Sequence, residues 1–303
     1  MRYLLVLFLL ISGLDAKPAQ AWSRNGHMII AAMTYRALPA HLQIKYTELL
    51  HHHPDFEKWQ RDYQNHATNM SQGEFLFMYA SIWPDLIRRQ GSSPYDHPTW
   101  HYTNFPVIPD DFPLEETLTP ENDVLHALGE SHRVLMDTTQ TLVDRAAHLS
   151  WVLHVVGDVH QPLHTVALVN ELFPEGDRGG NLFYVRPTES SNGINLHRYW
   201  DGLLGTSGKI SDARNDASLI WNSRRDVLRE EPGMDLDYRS WALEGREVAI
   251  ANVYLNGKLK ATSEENREQA SILPEAYGER AKYIAIVRAL VASLRLRHML
   301  SDG

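Results

Sequence analysis

The segment His154-Val155-Val156-Gly157-Asp158-Val159-His160-Gln161-Pro162-Leu163-His164 concentrates side chains that can bind a metal or move a proton. His154 and Asp158 are four residues apart, so on a helix they project from one face and can meet a common ion. Pro162 lacks a backbone donor and ends such a helix, which lets His164 approach from another direction. The same spacing recurs at His197 and Asp201. A single pair of this kind arises by chance in many helices. Two pairs, with a third histidine close behind the first, point to divalent metal held by imidazole and carboxylate. Such ligands suit zinc, whose catalytic sites keep a position open for water or substrate. The chain has 16 histidines and no cysteine, so structural disulfides and thiolate-bound zinc are excluded.

Further ligand candidates depend on how the chain begins. Arg2, the apolar run from Leu4 to Leu14 and Ala19-Gln20-Ala21 have the order of a secretory signal with an A-x-A cleavage site. The run is too short for the roughly 20 residues of a membrane-spanning helix, and no later segment is long and apolar enough to span. Residues 1–21 are therefore expected to be a cleaved leader and 22–303 the mature protein, exported to the periplasm or the medium. Cleavage would give Trp22 a free α-amino group beside its own carbonyl, together a five-membered chelate. Such an amine, with a pKa of roughly 7.7–8.0, yields its proton to a metal easily at neutral pH. His27 follows five residues on, and Asp85 (in Trp83-Pro84-Asp85) and His101 (in Trp100-His101-Tyr102) add two more donors. Loss of the leader moves the formal charge from −9 to about −10. That balance argues against non-specific duplex binding, which relies on Lys and Arg. It does not argue against a phosphate site focused by bound cations.

The elements that must carry these residues are mostly helical. Apolar spacing and proline placement predict helices over 28–37, from Pro39 onward, and over 122–140, 147–161, 212–230 and 241–255. Near the end, Tyr283, Val287, Leu290, Val291 and Leu294 form an amphipathic stripe read as core packing. Irregular regions over 90–120 and 170–195 interrupt the helices, the second carrying the Gly179-Gly180-Asn181 turn and a strand-like Phe183-Tyr184-Val185. With 43% hydrophobic residues a large core is available. Without a repeat, a low-complexity tract or a linker, one helical domain is expected.

In the order and spacing of these motifs the chain resembles the zinc-dependent single-strand nucleases of the mung-bean type, found in fungi, plants and bacteria. The resemblance runs over residues 22 to 303. It rests on Trp22, Gly26-His27, Trp83-Pro84-Asp85, Trp100-His101, the segment 154–164, Gly179-Gly180-Asn181 and Asn195-Leu196-His197-x-x-Trp200-Asp201. It implies an all-α fold: a compact single helical domain of the type shared with zinc phospholipase C, with long loops and a trinuclear zinc cleft. Three Zn2+ are implied. Asp85, His101, His154 and Asp158 would hold the first. Trp22, His27 and a bridging Asp158 would hold the second, and His164, His197 and Asp201 the third. The implied activity is hydrolysis of single-stranded DNA and RNA to 5'-phosphate products, and of nucleoside 3'-phosphates, by a hydroxide shared between the two ions that Asp158 bridges. Asp85, Arg88 and Asp158 would be catalytic, Arg88 either orienting Asp85 or contacting the transition-state phosphate. Tyr102 offers a stacking platform, Asn104 a base-edge contact, and Gly180 and Asn181 border the nucleotide pocket.

Two departures from the family pattern stand out. Asn104 replaces an aspartate frequent in fungal members, and an amide cannot act as a general base. Disulfides common in the family are missing. The alternative is a zinc-dependent phospholipase C, which also begins at tryptophan but carries glutamate where Asp201 stands and has its first histidine farther from the N-terminus. A non-catalytic periplasmic zinc-binding protein is a third reading. No protein partner is implied, and a monomer is expected. Among the remaining histidines, His51-His52-His53 suit a solvated helix end, and His160 is expected to orient a neighbouring ligand.

Overall fold

Helix α7 (Leu142–Val159) is the axis of the molecule, and every residue from Leu149 to Val159 is buried. A helix apolar on all sides must be surrounded. Around it pack α1 (Arg24–Ala37), α2 (Ala40–Leu50), α4 (Gln72–Ala80), α5 (Trp83–Ile87), α6 (Val124–Met136) and the C-terminal α11 (Tyr277–Ser301). The computed structural model describes residues 22–66, 69–88, 93–108, 119–223 and 236–301. The leader, parts of the loop expected over 90–120 and the end of the helix expected over 212–230 lie outside them. Among the described residues no helix is long and apolar enough to cross a membrane.

The remaining helices are α3 (Phe56–His66), α8 (Leu196–Asp201), α9 (Ile210–Asn222) and α10 (Tyr238–Val248), the last running into a π-helical turn over Ala249–Val253. Side chains close several helix starts: Thr141 accepts from the Asp144 amide at 3.0 Å, Asp123 from the Leu125 amide at 2.9 Å and Asn195 from the Arg198 amide at 2.7 Å. The Thr141 cap starts α7 five residues earlier than its apolar pattern suggested. Pro39 sits just ahead of α2 rather than inside it.

Strands are few. β1 (Phe105–Val107) and β2 (Val166–Leu168) pair in parallel, and β3 (Tyr184–Val185) and β4 (Ile194–Asn195) pair antiparallel with Tyr184 opposite Asn195. The first pair continues a main-chain ladder in which the Thr103 amide donates to His164 O at 2.9 Å. His101 and His164 are thereby drawn together.

The core has two parts. One gathers apolar side chains of α1, α2, α4, α7 and α11. The other gathers Leu163, Val166, Phe183, Leu196, Trp200, Tyr254 and Tyr277. On α11 the buried face is set by Ala281, Ala285, Ala289 and Ala292 with Leu290 and Leu294. Tyr283, expected in the core, is 51% exposed. Small alanines let α11 lie against α1, and Tyr283 falls on the side away from that contact. His53 also differs from expectation. It is buried, stacked on Trp59 at 4.0 Å and edge-on to Trp83, and burial lowers its pKa to about 3.

Candidate metal centre

Both parts of the core contribute to one cluster of imidazoles and carboxylates. His27 comes from α1, Asp85 from the first turn of α5, and His154 and Asp158 from α7. His101 and His164 end the 3-10 turns Pro98–His101 and Pro162–His164, and His197 and Asp201 lie one turn apart on α8. All eight are buried. Their ligand atoms fall into three groups, each with its atoms within 4.8 Å of one another: His27, His154 and Asp158; Asp85, His101 and His154; His164, His197 and Asp201.

Asp158 divides its oxygens between partners. Oδ1 is 3.4 Å from His27 Nε2, whereas Oδ2 is 3.2 Å from both His154 Nε2 and His101 Nδ1. In the third group His197 Nε2 is 3.4 Å from Asp201 Oδ2. Ligands about 2.0–2.1 Å from a tetrahedral zinc stand roughly 3.3 Å from each other, so these separations fit shared ions. The orphaned atoms agree. His27 Nε2, His164 Nε2 and Asp158 Oδ1 are buried with no hydrogen-bond partner. Leaving such groups without a partner costs about 1–3 kcal/mol each, which a bound cation would relieve.

The opposite ring nitrogens are anchored. The Nδ1 of His154 donates to Ser81 O at 2.7 Å, that of His164 to His101 O at 2.6 Å and that of His197 to Gly179 O at 2.7 Å. Each bond fixes a tautomer that leaves Nε2 as a lone-pair donor, the usual arrangement behind metal-binding histidines. Burial, with the neighbouring imidazoles, holds His27, His101 and His164 well below the ordinary histidine pKa. Burial also raises Asp158 to about 6 despite its contact with His154, and raises Asp201 further. His154 differs: burial would lower it, but Asp158 and Asp85 outweigh burial and raise it. The neutral rings of His27, His101 and His164 and the raised carboxylates are a donor set suited to a cation.

Trp22 is buried beside these groups. Its indole Nε1 donates to Gly157 O at 3.0 Å, and the next amide, Ser23 N, donates to Asp201 O at 3.0 Å. Arg88 Nη1 lies 3.8 Å from Asp85 Oδ1. Tyr102 and Asn104 follow His101 on the extended segment into β1 and are half-buried. Gly180 is buried, and its carbonyl accepts from the His197 amide at 3.2 Å. Asn181 Nδ2 donates to Arg178 O at 2.8 Å. Both residues therefore brace the turn that carries the Gly179 carbonyl to His197. His160, expected to orient a ligand, instead donates from Nδ1 to Val156 O at 2.7 Å and meets Arg295 Nη1 through Nε2 at 3.0 Å.

Four supporting residues escaped the sequence reading. Ser81 offers only its carbonyl. Gly157 makes room for His27, and Gln161 bonds Asp201. Asp177 is buried, receives the Leu168 amide at 2.9 Å and the Tyr254 hydroxyl at 2.8 Å, and is also bonded by the amides of Gly179 and Gly180. Gly157 and Gln161 lie inside the segment that drew attention first. Asp177 had no distinguishing signal.

With this geometry in hand, comparison with known families is decisive. Residues 22–302 match the S1/P1 nuclease family. The chain belongs to that family. A comparison with curated proteins gives no match. S1/P1 nucleases are zinc-dependent hydrolases that cut phosphodiester bonds in single-stranded nucleic acid. The His and Asp groups could hold the metal on which the family depends, and the mostly helical architecture is that of the family.

Proposed function

We propose that the chain is an exported endonuclease that also acts as a 3'-nucleotidase. It cuts single-stranded DNA and RNA to 5'-phosphate products and releases phosphate from nucleoside 3'-phosphates. Three zinc ions are assigned: one to Asp85, His101, His154 and Asp158, one to Trp22, His27 and Asp158, and one to His164, His197 and Asp201. The grouping of His27 with His154 and Asp158, of Asp85 with His101 and His154, and of His164 with His197 and Asp201 supports this. The observation that carries this reading is the divided carboxylate of Asp158, whose two oxygens face different imidazoles at 3.4 and 3.2 Å. One carboxylate so placed would serve two adjacent ions.

When bound, zinc supplies Lewis acidity that activates water and neutralises charge on the phosphoryl and leaving oxygens. The protein's own part is to hold geometry. Asp158 fixes the spacing of two groups, and Arg88, beside Asp85, turns that carboxylate or meets a phosphoryl oxygen with its planar fork of donors. Tyr102 and Asn104, one and three residues after His101, are assigned to take an unpaired base. Such a platform favours single strands because a base must leave its stack to reach it. Cleavage after Ala21 frees the Trp22 amine, and the proximity of Trp22 to Gly157 and of Ser23 to Asp201 supports its place in the second group.

The test uses mature protein beginning at Trp22, loaded with zinc. It is incubated with single-stranded DNA, RNA, duplex DNA, 3'-AMP and phosphatidylcholine, with and without chelator. Chelator-sensitive formation of 5'-mononucleotides and of adenosine, with duplex and lipid spared, is the expected result. Headgroup release from lipid with intact oligonucleotides would overturn it in favour of a phospholipase.

A further inference from the structure

Gln161 joins two ligand-bearing elements without occupying a ligand position. It is fully buried, and both ends of its amide are used. Nε2 donates to Asp201 Oδ1 at 2.7 Å, and Oε1 accepts from the Leu163 amide at 2.6 Å. The second bond caps the turn Pro162–His164 and so fixes the backbone that presents His164. The first reaches 40 residues along the chain to α8. One side chain thereby sets His164 and Asp201 in register, although the two lie on elements that meet only in the folded protein.

The bond to Asp201 also selects an oxygen. Oδ1 is committed to the amide and lies 3.9 Å from His164 Nε2, whereas Oδ2 lies 3.4 Å from His197 Nε2, the separation expected of two ligands on one zinc. A carboxylate free to rotate could span an ion with both oxygens and fill the position a substrate oxygen needs. Only an amide meets all these demands. Glutamate would keep the acceptor for Leu163 but set a second carboxylate oxygen against Asp201 Oδ1. Methionine would leave the Leu163 amide and Asp201 Oδ1 buried without their present partner.

We propose that Gln161 is the positioning residue of the His164–His197–Asp201 group, tying off Asp201 Oδ1 so that the carboxylate meets its ion through Oδ2 alone. This rests on the three-zinc reading above. The effect belongs to one group of the three, because the side-chain bonds of Gln161 touch neither Asp158 nor Asp85, and its main-chain amide, which donates to Asp158 O at 2.9 Å, is kept when the side chain is changed.

The experiment titrates zinc into chelator-stripped wild type, Gln161→Glu and Gln161→Met, with melting temperature of the metal-free proteins and kcat and KM on a single-stranded oligonucleotide at saturating zinc. Gln161→Glu is expected to weaken one of three zinc sites about 10–100-fold and leave the other two at wild-type affinity, the range typical for groups that orient metal ligands. Its kcat falls more than its KM rises. Gln161→Met weakens the same site and also lowers the metal-free melting temperature, since the turn loses its cap. Wild-type affinity at all three sites in Gln161→Glu overturns the proposal. So does an equal loss at every site that tracks the metal-free melting temperature, which is the signature of a structural role alone. Wild-type protein that holds fewer than three ions overturns the three-zinc reading, and the proposal with it.

Discussion

Gly157 has no functional group, yet an added Cβ would lie 2.8 Å from His27 Nδ1 and 3.1 Å from its Cε1. His27 cannot swing aside, because it is buried and stacked on His154 with ring centroids 4.0 Å apart. Gly157→Ala must therefore displace His27 or push α1 away from α7. We expect a loss of about 1–3 kcal/mol from overpacking, seen in the denaturation midpoint of metal-free protein. Elemental analysis should also show one zinc fewer per chain. An alanine variant with wild-type metal content and midpoint would mean that α1 can shift freely and that the close approach is incidental. This residue shows what the sequence conceals at this scale. Histidine and aspartate announce themselves by type and spacing, so the eight side chains that the fold gathers into one buried cluster could be named in advance. Their supports are harder to see: Ser81, His101 and Gly179 act through carbonyls that every residue possesses.

At the scale of elements, α8 is the most dependent piece of the site. A six-residue helix cannot persist alone, because nucleation costs more than so few hydrogen bonds return. It is held by the Asn195 cap, by Gly180 O on the His197 amide, by Asp201 O accepting from Ser23, and by Trp200 bonded to the Tyr277 hydroxyl at 2.9 Å. Asn195→Ala should cost about 1 kcal/mol of stability and weaken zinc at the His197–Asp201 group, read by thermal melting and zinc titration. Asn195→Asp restores the acceptor and should recover both. An alanine variant indistinguishable from wild type would show that Trp200 and the two main-chain bonds position the helix without the cap. The Asn-Leu-His-x-x-Trp-Asp motif thus encodes a cap, two candidate ligands and an anchor, and the sequence singled out the segment without revealing the division of labour. Other elements were less legible. Helix α4 is buried over nearly its whole length, so it lacks the one-sided periodicity that marks a surface helix. The β1–β2 ladder is three residues long and joins segments about 60 residues apart, a pairing that leaves no local trace.

For the molecule as a whole, the absence of cysteine leaves stability to packing, bound metal and the protonation state of buried groups. Burial holds His53 near pKa 3 and His148 near 4, and keeps His27, His101, His160 and His164 well below the ordinary value. In the unfolded chain these rings take up protons near pH 6.5. Between that value and the folded pKa the unfolded state binds more protons, so stability declines as pH falls. Asp158 and Asp177, each raised to about 6, act in the opposite sense, since the folded state protonates them first between pH 6 and the ordinary carboxylate range. Asp201, also raised, adds to that sense. His154, which burial would lower but Asp158 raises, acts in that sense too. The six lowered histidines outnumber these four groups, so acidification destabilises. Each neutral imidazole contributes up to about 1.4 kcal/mol per pH unit. Urea midpoints of chelator-stripped protein should fall between pH 7 and pH 5. His53→Phe, which keeps the stack on Trp59 but removes the titrating ring, should make that fall shallower by about 1 kcal/mol per pH unit. A midpoint that holds steady or rises over this range would mean that the carboxylates, not the histidines, govern the fold's response to acid. Zinc should steepen the dependence, because protons then compete with the metal for the same ring nitrogens as well as favouring the unfolded chain.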